Sequence, residues 1–332
     1  MKQKNISLFS GQWVDLGLYK FLDLAADVGF DGVELVFRPN IVDLDRAYDD
    51  LSYCHEVKEN LRSHGLVLNT VSAAYIGKLV GDVYDIRHDT LVPEKLRGNH
   101  DAMRAWAIEE MMKVPTAAKN LGASNVQCFL GSPIWNMFYA YPKRADSLVD
   151  EGYRTIVSRW TPILDEFGRH GIKFAFETHP SEIAYDYYSL KRLVEELGHH
   201  NAFALNFDPS HIFWQGIDPC IFLQDFIPMV VNVHIKDIAV YCDGRSGILG
   251  SHLPFGNTKR AWNFASPGHG QINFERIMRI LNENNYAGDL TIEWEDNGMD
   301  RYYGVRDAFN FVKNLAYPTS TRAFDVDNRF GK

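Results

Sequence analysis

The chain of 332 residues has only four cysteines. Cys54, Cys128, Cys220 and Cys242 stand far apart with none of the paired spacings of zinc or dithiol motifs. That excludes a disulfide scaffold and reads as thiols of a reducing, cytoplasmic compartment. Long apolar runs are missing too. Met1-Lys2-Gln3-Lys4 is basic, but Ile6 to Gly11 is too short and polar for a secretory core. No stretch approaches the roughly 20 residues of a membrane span, so neither export nor insertion is expected. Positive charge is not in excess: 34 Lys and Arg against 43 Asp and Glu leave a formal net charge of −9. Such a surface repels phosphate backbones, which argues against nucleic acid as a partner. Low-complexity tracts are absent, and Gly11 stands alone where a G-x-G-x-x-G fingerprint would have to follow a first strand.

What is present is a globular balance, 46% hydrophobic and 23% charged, with enough apolar mass for a large core. Strands are predicted over 6–9, 31–37, 66–71, 125–130, 172–177, 203–208, 229–235 and 290–293, from short apolar runs that end at Gly, Pro or a charged residue. Helices are predicted over 15–28, 45–63, 101–121, 148–167, 189–197, 219–226, 273–284 and 303–315, several closed by a glycine. The segment 74–99, with Gly77, Gly81, Pro93 and Gly98, reads as a long functional loop, and 239–271 reads as a second one. Eight strands alternating with eight helices, apolar on both faces, predict one parallel (β/α)8 barrel over residues 1–316. A doubly wound sheet is the runner-up. Residues 317–332 are expected to form a tail packed on the barrel or on a partner.

In such a barrel the C-terminal ends of all strands converge on one face. Glu177, Asp208, His234 and Glu293 end the last four predicted strands and so become neighbours. Three carboxylates that close repel unless a cation neutralises them. Carboxylates with one imidazole suit Mn²⁺ best, with Mg²⁺ or Co²⁺ as options, rather than structural zinc. Glu295 rivals Glu293, because alternate residues of a strand point the same way. By the same spacing His179 lies on the side of Glu177 and is a candidate base near operating pH. Lys236, just past His234, could polarise a substrate oxygen. Among aromatics after strand ends, Trp13 and Trp135 are candidate substrate contacts. The loop 239–271, together with Arg301, is where specificity is expected.

The residues that carry chemistry resemble a known family. Phe176-Glu177-Thr178-His179-Pro180, Asn206-Phe207-Asp208-Pro209-Ser210-His211, His234-Ile235-Lys236-Asp237 and Ile292-Glu293-Trp294-Glu295-Asp296 are similar to the strand ends of xylose-isomerase-like barrels, the sugar phosphate isomerases and epimerases. The resemblance runs from about Phe30 to Asp296, nearly the whole chain. It implies a divalent metal held by Glu177, Asp208, His234 and Glu293, with His211 facing the substrate. It also implies proton abstraction next to the carbonyl of a keto or oxo sugar, with Glu177 and Glu293 as the paired carboxylates of the epimerases. No Gly-rich phosphate cradle follows the seventh or eighth strand, so the "phosphate" of that family label is not expected here. A sharper alternative is the catalytic subunit of a C-glycoside deglycosidase, which cleaves a 3-oxo-glucoside by elimination beside a small β-rich subunit. A homo-oligomer is the default expectation, that hetero-complex the alternative. A DNA-directed relative, of the endonuclease IV type, would need more metal ligands and a basic surface.

Overall fold

The strands β1 (Ile6–Phe9), β2 (Gly32–Val36), β3 (Val67–Ser72), β4 (Asn125–Cys128), β5 (Lys173–Glu177), β6 (Phe203–Phe207) and β7 (Val230–Ile235) are short and almost continuously buried. Parallel strands between a core and a helical shell must be so. After β7 come β8 (Asp237–Val240) and β9 (Trp262–Ala265), an antiparallel ribbon, and then β10 (Leu290–Ile292). In the computed structural model, which describes residues 4–319, β1 to β7 and β10 close into an eight-stranded, all-parallel barrel. The fold is a (β/α)8 barrel.

The helical shell packs on the outward faces of the strands. Phe174 of β5 meets Trp160 and Phe167 of the helix Asp146–His170 edge to face, at centroid distances of 5.0 and 5.4 Å. Burying each such ring contributes about 1.5–3 kcal/mol. Inward faces carry polar residues, and two irregularities help to aim them. The β2–β3 register shifts between Val33 and Glu34, and the β6–β7 register shifts between Leu205 and Asn206. A bulge of this kind re-aims the side chains beside it.

Three segments differ from the sequence reading. Residues 74–99 are not a loop throughout: Ala74–Gly81 is an α-helix and Ile86–Leu91 and Glu94–Leu96 are 3₁₀ turns. Gly77 and Gly81 lie four apart on that helix, on a face pressed against the Phe129 and Leu130 carbonyls where a Cβ would collide. The glycines serve close packing rather than a break. The predicted helix over 45–63 is two helices, Leu44–Asp49 and Leu51–Ser63, because Asp50 leaves helical geometry and its side chain accepts a hydrogen bond from the Tyr53 N–H at 3.0 Å. The insertion after β7 contains the β8–β9 ribbon. Of the expected tail, Tyr317 is tied to the barrel by a 3.0 Å hydrogen bond to Glu275, and residues 320–332 lie outside the described residues. No helix among the described residues is long and apolar enough to cross a membrane.

Candidate metal centre

The floor of the site is a chain of buried side-chain hydrogen bonds across the barrel. Ser72 donates to Gln127 Oε1 at 2.6 Å, and Gln127 donates to Glu177 Oε2 at 2.9 Å. The same oxygen accepts from Asn206 at 2.6 Å. Asn232 donates to Asn206 Oδ1 at 2.9 Å and to Glu34 Oε2 at 2.8 Å. Each member sits at an inward strand position, so the pleat and the two register shifts bring the polar ends into one layer. Buried polar groups tolerate this environment only when satisfied, and a satisfied network is rigid.

Above that layer stand the four strand-end residues. Glu177 is the last residue of β5, Asp208 and Glu293 follow β6 and β10 directly, and His234 is the penultimate residue of β7. All four are buried, and one donor atom from each lies within 4.8 Å of the others. His234 Nδ1 is 2.8 Å from Glu293 Oε2 and 3.4 Å from Glu177 Oε2. Glu295 is more exposed and pairs with Lys236 at 3.3 Å, so Glu293 is the residue in the cluster. Lys236 also reaches Glu293 at 3.1 Å, and Gln12 donates to both Glu293 and Glu295 at 3.0 Å. His211 Nε2 sits 3.2 Å from Asp208 Oδ2 and 3.4 Å from Glu177 Oε1. Those first two atoms are close without hydrogen-bond alignment, and both are buried with no hydrogen-bond partner among the described residues.

The electrostatics follow from packing these charges together. Burial, with Glu293 and Asp208 adding to it, pushes the Glu177 carboxyl up to about 7. Burial also opposes charge on Glu293, but Lys236 and His234 outweigh it and hold that carboxyl well below its usual range. Burial raises Asp208 as well, and His211 more than offsets it. For His234 the carboxylates of Glu34 and Glu293 overcome burial and raise the imidazole well above its ordinary value. His179 goes the other way: burial, then the neighbouring His211 and Lys236, keep it neutral. Its Nδ1 contacts the Pro180 carbonyl, which leaves the Nε2 lone pair available as a base or ligand. His179 packs against His211 with ring centroids 4.0 Å apart, and Glu177, His179 and His211 form a second group of potential ligands.

These residues open into a cavity of about 450 Å³. Its walls include Tyr75, Phe129, Trp214, Phe255, Trp262 and Phe264, and Lys78, His179, His211 and Lys236 also face it. Trp214 and Trp262 stack at 4.8 Å. Trp13 and Arg301 line an adjoining cavity of about 410 Å³ that shares Gln12, Phe255, Phe264 and Glu295 with the first. There Trp13 is fully buried, and Arg301 pairs with Asp15 at 2.6 Å. The structure does not bring Trp135 to the central cavity; it stacks on Phe138 beside a neighbouring cleft lined by His88 and by Lys78 and Ser181, which the cleft shares with the central cavity.

The sequence reading assigned no role to Gln12, Glu34, Lys78, Gln127, Asn206 or Asn232. A signal existed for most of them, since a polar residue inside a short apolar strand must face either the barrel interior or the helices. For Lys78 there was none once its segment was read as a loop.

The profile of the xylose isomerase-like TIM barrel family matches residues 22–315 of this chain. The chain is similar to an uncharacterised Bacillus subtilis protein, YfiH, at 28% identity over 159 residues, 46% of this chain and 50% of that one. It is similar to the inosose dehydratase of Clostridium perfringens at 30% identity over 150 residues, 45% of this chain and 50% of the other. These matches thus span half the length of the curated relatives. In fold it is similar to the 3-keto-D-glucoside 4-epimerase YcjR of E. coli, with a TM-score of 0.66 at 16% identity, covering 94% of this chain and 100% of that one. With a family match over most of its length and the same closed barrel, the chain belongs to the xylose isomerase-like TIM-barrel family.

Proposed function

We propose that the protein is a divalent-metal-dependent enzyme that moves a proton next to the carbonyl of a keto or oxo sugar, as sugar isomerases and epimerases do. The observation that carries this reading is the buried Glu177/Asp208/His234/Glu293 cluster, whose Glu177 and Glu293 line an aromatic-walled cavity. The donor set fits an ion. Three carboxylates with one imidazole make an oxygen-rich, hard site, and Asp208 Oδ2 is buried with no aligned hydrogen-bond donor among the described residues. Burial first, and then the nearby Glu293 and Asp208 carboxylates, disfavour charge on Glu177 and raise it to about 7.

Glu177, Asp208, His234 and Glu293 would hold the ion, with Mn²⁺ the best match and Mg²⁺ or Co²⁺ acceptable. When bound, it supplies Lewis acidity, drawing charge from a sugar carbonyl and acidifying the adjacent C–H. Glu177 and Glu293 are the carboxylates placed to carry that proton. His179, neutral and partly buried, is a second base with its own proton acceptor atom. His211 and Lys236 stand ready to hold substrate oxygens, and the aromatic walls stack on the sugar's apolar face while keeping water out.

One observation supports a second reading. The neutral His179 beside His211 provides a base separate from the cluster's carboxylates, which suits hydroxyl deprotonation and elimination, as in a dehydratase or a 3-oxo-glucoside lyase. The two readings part in one experiment. The Mn²⁺-loaded protein is incubated in D₂O with free ketoses and with 3-oxo-glycosides, and products are read by mass and deuterium content. Deuterium exchange without cleavage supports the isomerase or epimerase, whereas loss of water or release of an aglycone supports the lyase. No exchange and no product with either panel would overturn both.

A further inference from the structure

Glu34 is a fully buried carboxylate in the middle of β2, and no Lys or Arg among the described residues lies within ion-pair distance of it. Such a group is costly to desolvate, and an apolar residue would fill the space at no electrostatic cost. Its contacts explain its presence. Oε1 and Oε2 lie 3.3 and 3.2 Å from His234 Nε2, and Oε2 also accepts from Asn232 at 2.8 Å. The other imidazole nitrogen, Nδ1, is the one that faces Glu293 and Glu177. The β2–β3 register shifts at this residue, and Asn232 ties it through Asn206 to Glu177, so the same polar layer reaches two members of the cluster.

We propose that Glu34 is a positioning residue of the metal centre: it holds His234 with Nε2–H turned toward β2 and Nδ1 toward the cluster, and its negative charge strengthens retention of the divalent ion. This inference rests on the metal-dependent reading above. A metal-bound histidine commonly donates its second N–H to a carboxylate, which fixes the ring and makes it a better donor, and losing that partner weakens metal binding by roughly 10- to 100-fold. Asn232 adds direction. With its amide on Glu34 and on Asn206, it ties down the carboxylate whose two oxygens lie 3.3 and 3.2 Å from Nε2.

The test compares Co²⁺ and Mn²⁺ binding by calorimetry in the full-length wild type, Glu34→Gln, Glu34→Ala and Asp208→Ala, with Co²⁺ absorption spectra and melting of the metal-free forms. Glu34→Gln keeps the shape and a hydrogen-bond acceptor but removes the charge, and is expected to bind about tenfold more weakly or worse, with a shifted Co²⁺ spectrum. Glu34→Ala is expected to lose more. Wild-type affinity and spectrum in both Glu34 variants, alongside lost binding in Asp208→Ala, would overturn the role of Glu34 and leave the metal centre standing. Absence of binding by the wild type, or unimpaired binding by Asp208→Ala, would instead overturn the metal reading itself. Should the Glu34 variants fail to fold, ¹⁵N spectra of histidine-labelled, Zn²⁺-loaded wild type decide: a proton on Nε2 of His234 supports the proposal, and a proton on Nδ1 refutes it.

Discussion

At Asp208 one carboxylate oxygen accepts from the Ser210 N–H at 2.7 Å while the other has no hydrogen-bond partner among the described residues. Replacing this residue removes a proposed ligand, together with the Ser210 hydrogen bond and the nearby His211 contact at 3.2 Å, while the apolar core stays intact. Asp208→Ala is therefore expected to abolish stoichiometric metal, measured by elemental analysis, while the variant still melts cooperatively as a folded barrel. Full metal occupancy in the variant would refute the cluster. His179 is a separate matter, since its Nδ1 is engaged by Pro180 and its ring is held neutral. Removing a general base costs on the order of 10²–10⁴ in turnover. His179→Ala should lower kcat by that order with metal content unchanged; unchanged kcat would return the proton transfer to the carboxylates alone.

At the scale of elements, the helix Ala74–Gly81 brings Lys78 to both the central cavity and the neighbouring cleft, where its ammonium meets Glu182 at 2.9 Å and Asp82 at 3.1 Å. Its approach depends on Gly77, whose missing Cβ makes room for the Phe129 carbonyl, Cys128 and Trp160. Overpacking such a contact costs about 1–3 kcal/mol, so Gly77→Val should lower the melting temperature and displace Lys78. An unchanged melting curve would show that the helix can shift freely. The ribbon of β8 and β9 delivers Trp262 and Phe264 over the site, and Trp262 stacks on Trp214. Trp262→Ala removes a stacking wall worth about 0.5–1.5 kcal/mol, which is roughly a two- to tenfold rise in KM. Steady-state kinetics on the substrate found in the D₂O experiment would measure this, with kcat expected to change less.

The whole molecule stores unfavourable charge at the mouth of its barrel. Chelating the proposed ion should destabilise the fold, by about 2.7 kcal/mol where the free ion had been at 100 times its Kd. A chelator-dependent drop in melting temperature checks this. The metal-free protein should also carry a pH dependence of definite sign. Burial raises Glu177 from 4.5 to about 7, and the neighbouring carboxylates raise His234 above 6.5, so the folded state holds more protons than the unfolded one. Their contribution is fully present below those ordinary values and is lost as pH rises through the folded ones. Asp208 and Glu293 are shifted down from 3.8 and 4.5, and His179 from 6.5, so their opposite effects are complete once pH has passed those ordinary values. Melting in EDTA should therefore fall between about pH 6.5 and 8, where Glu177 and His234 set the sign, and added Mn²⁺ should flatten the slope. A flat profile in EDTA would refute the crowding of charge.

Alternating apolar runs and helical periodicity are local properties, so the order of strands and helices, and with it the barrel, was legible in the sequence. The strand-end positions of Glu177, Asp208, His234 and Glu293 were legible for the same reason, because closure puts every strand end on one face. The tertiary structure alone decided the rest. Whether Glu34, Asn206 and Asn232 point into the barrel depends on register shifts between strands distant in sequence. Gly77 reads as a helix breaker until the Phe129 carbonyl is seen against it. Trp13 and Trp135 share a residue type and a strand-end position, yet neither lines the central cavity and they border different neighbouring spaces, because side-chain destinations are set by packing summed over the whole chain rather than by local spacing.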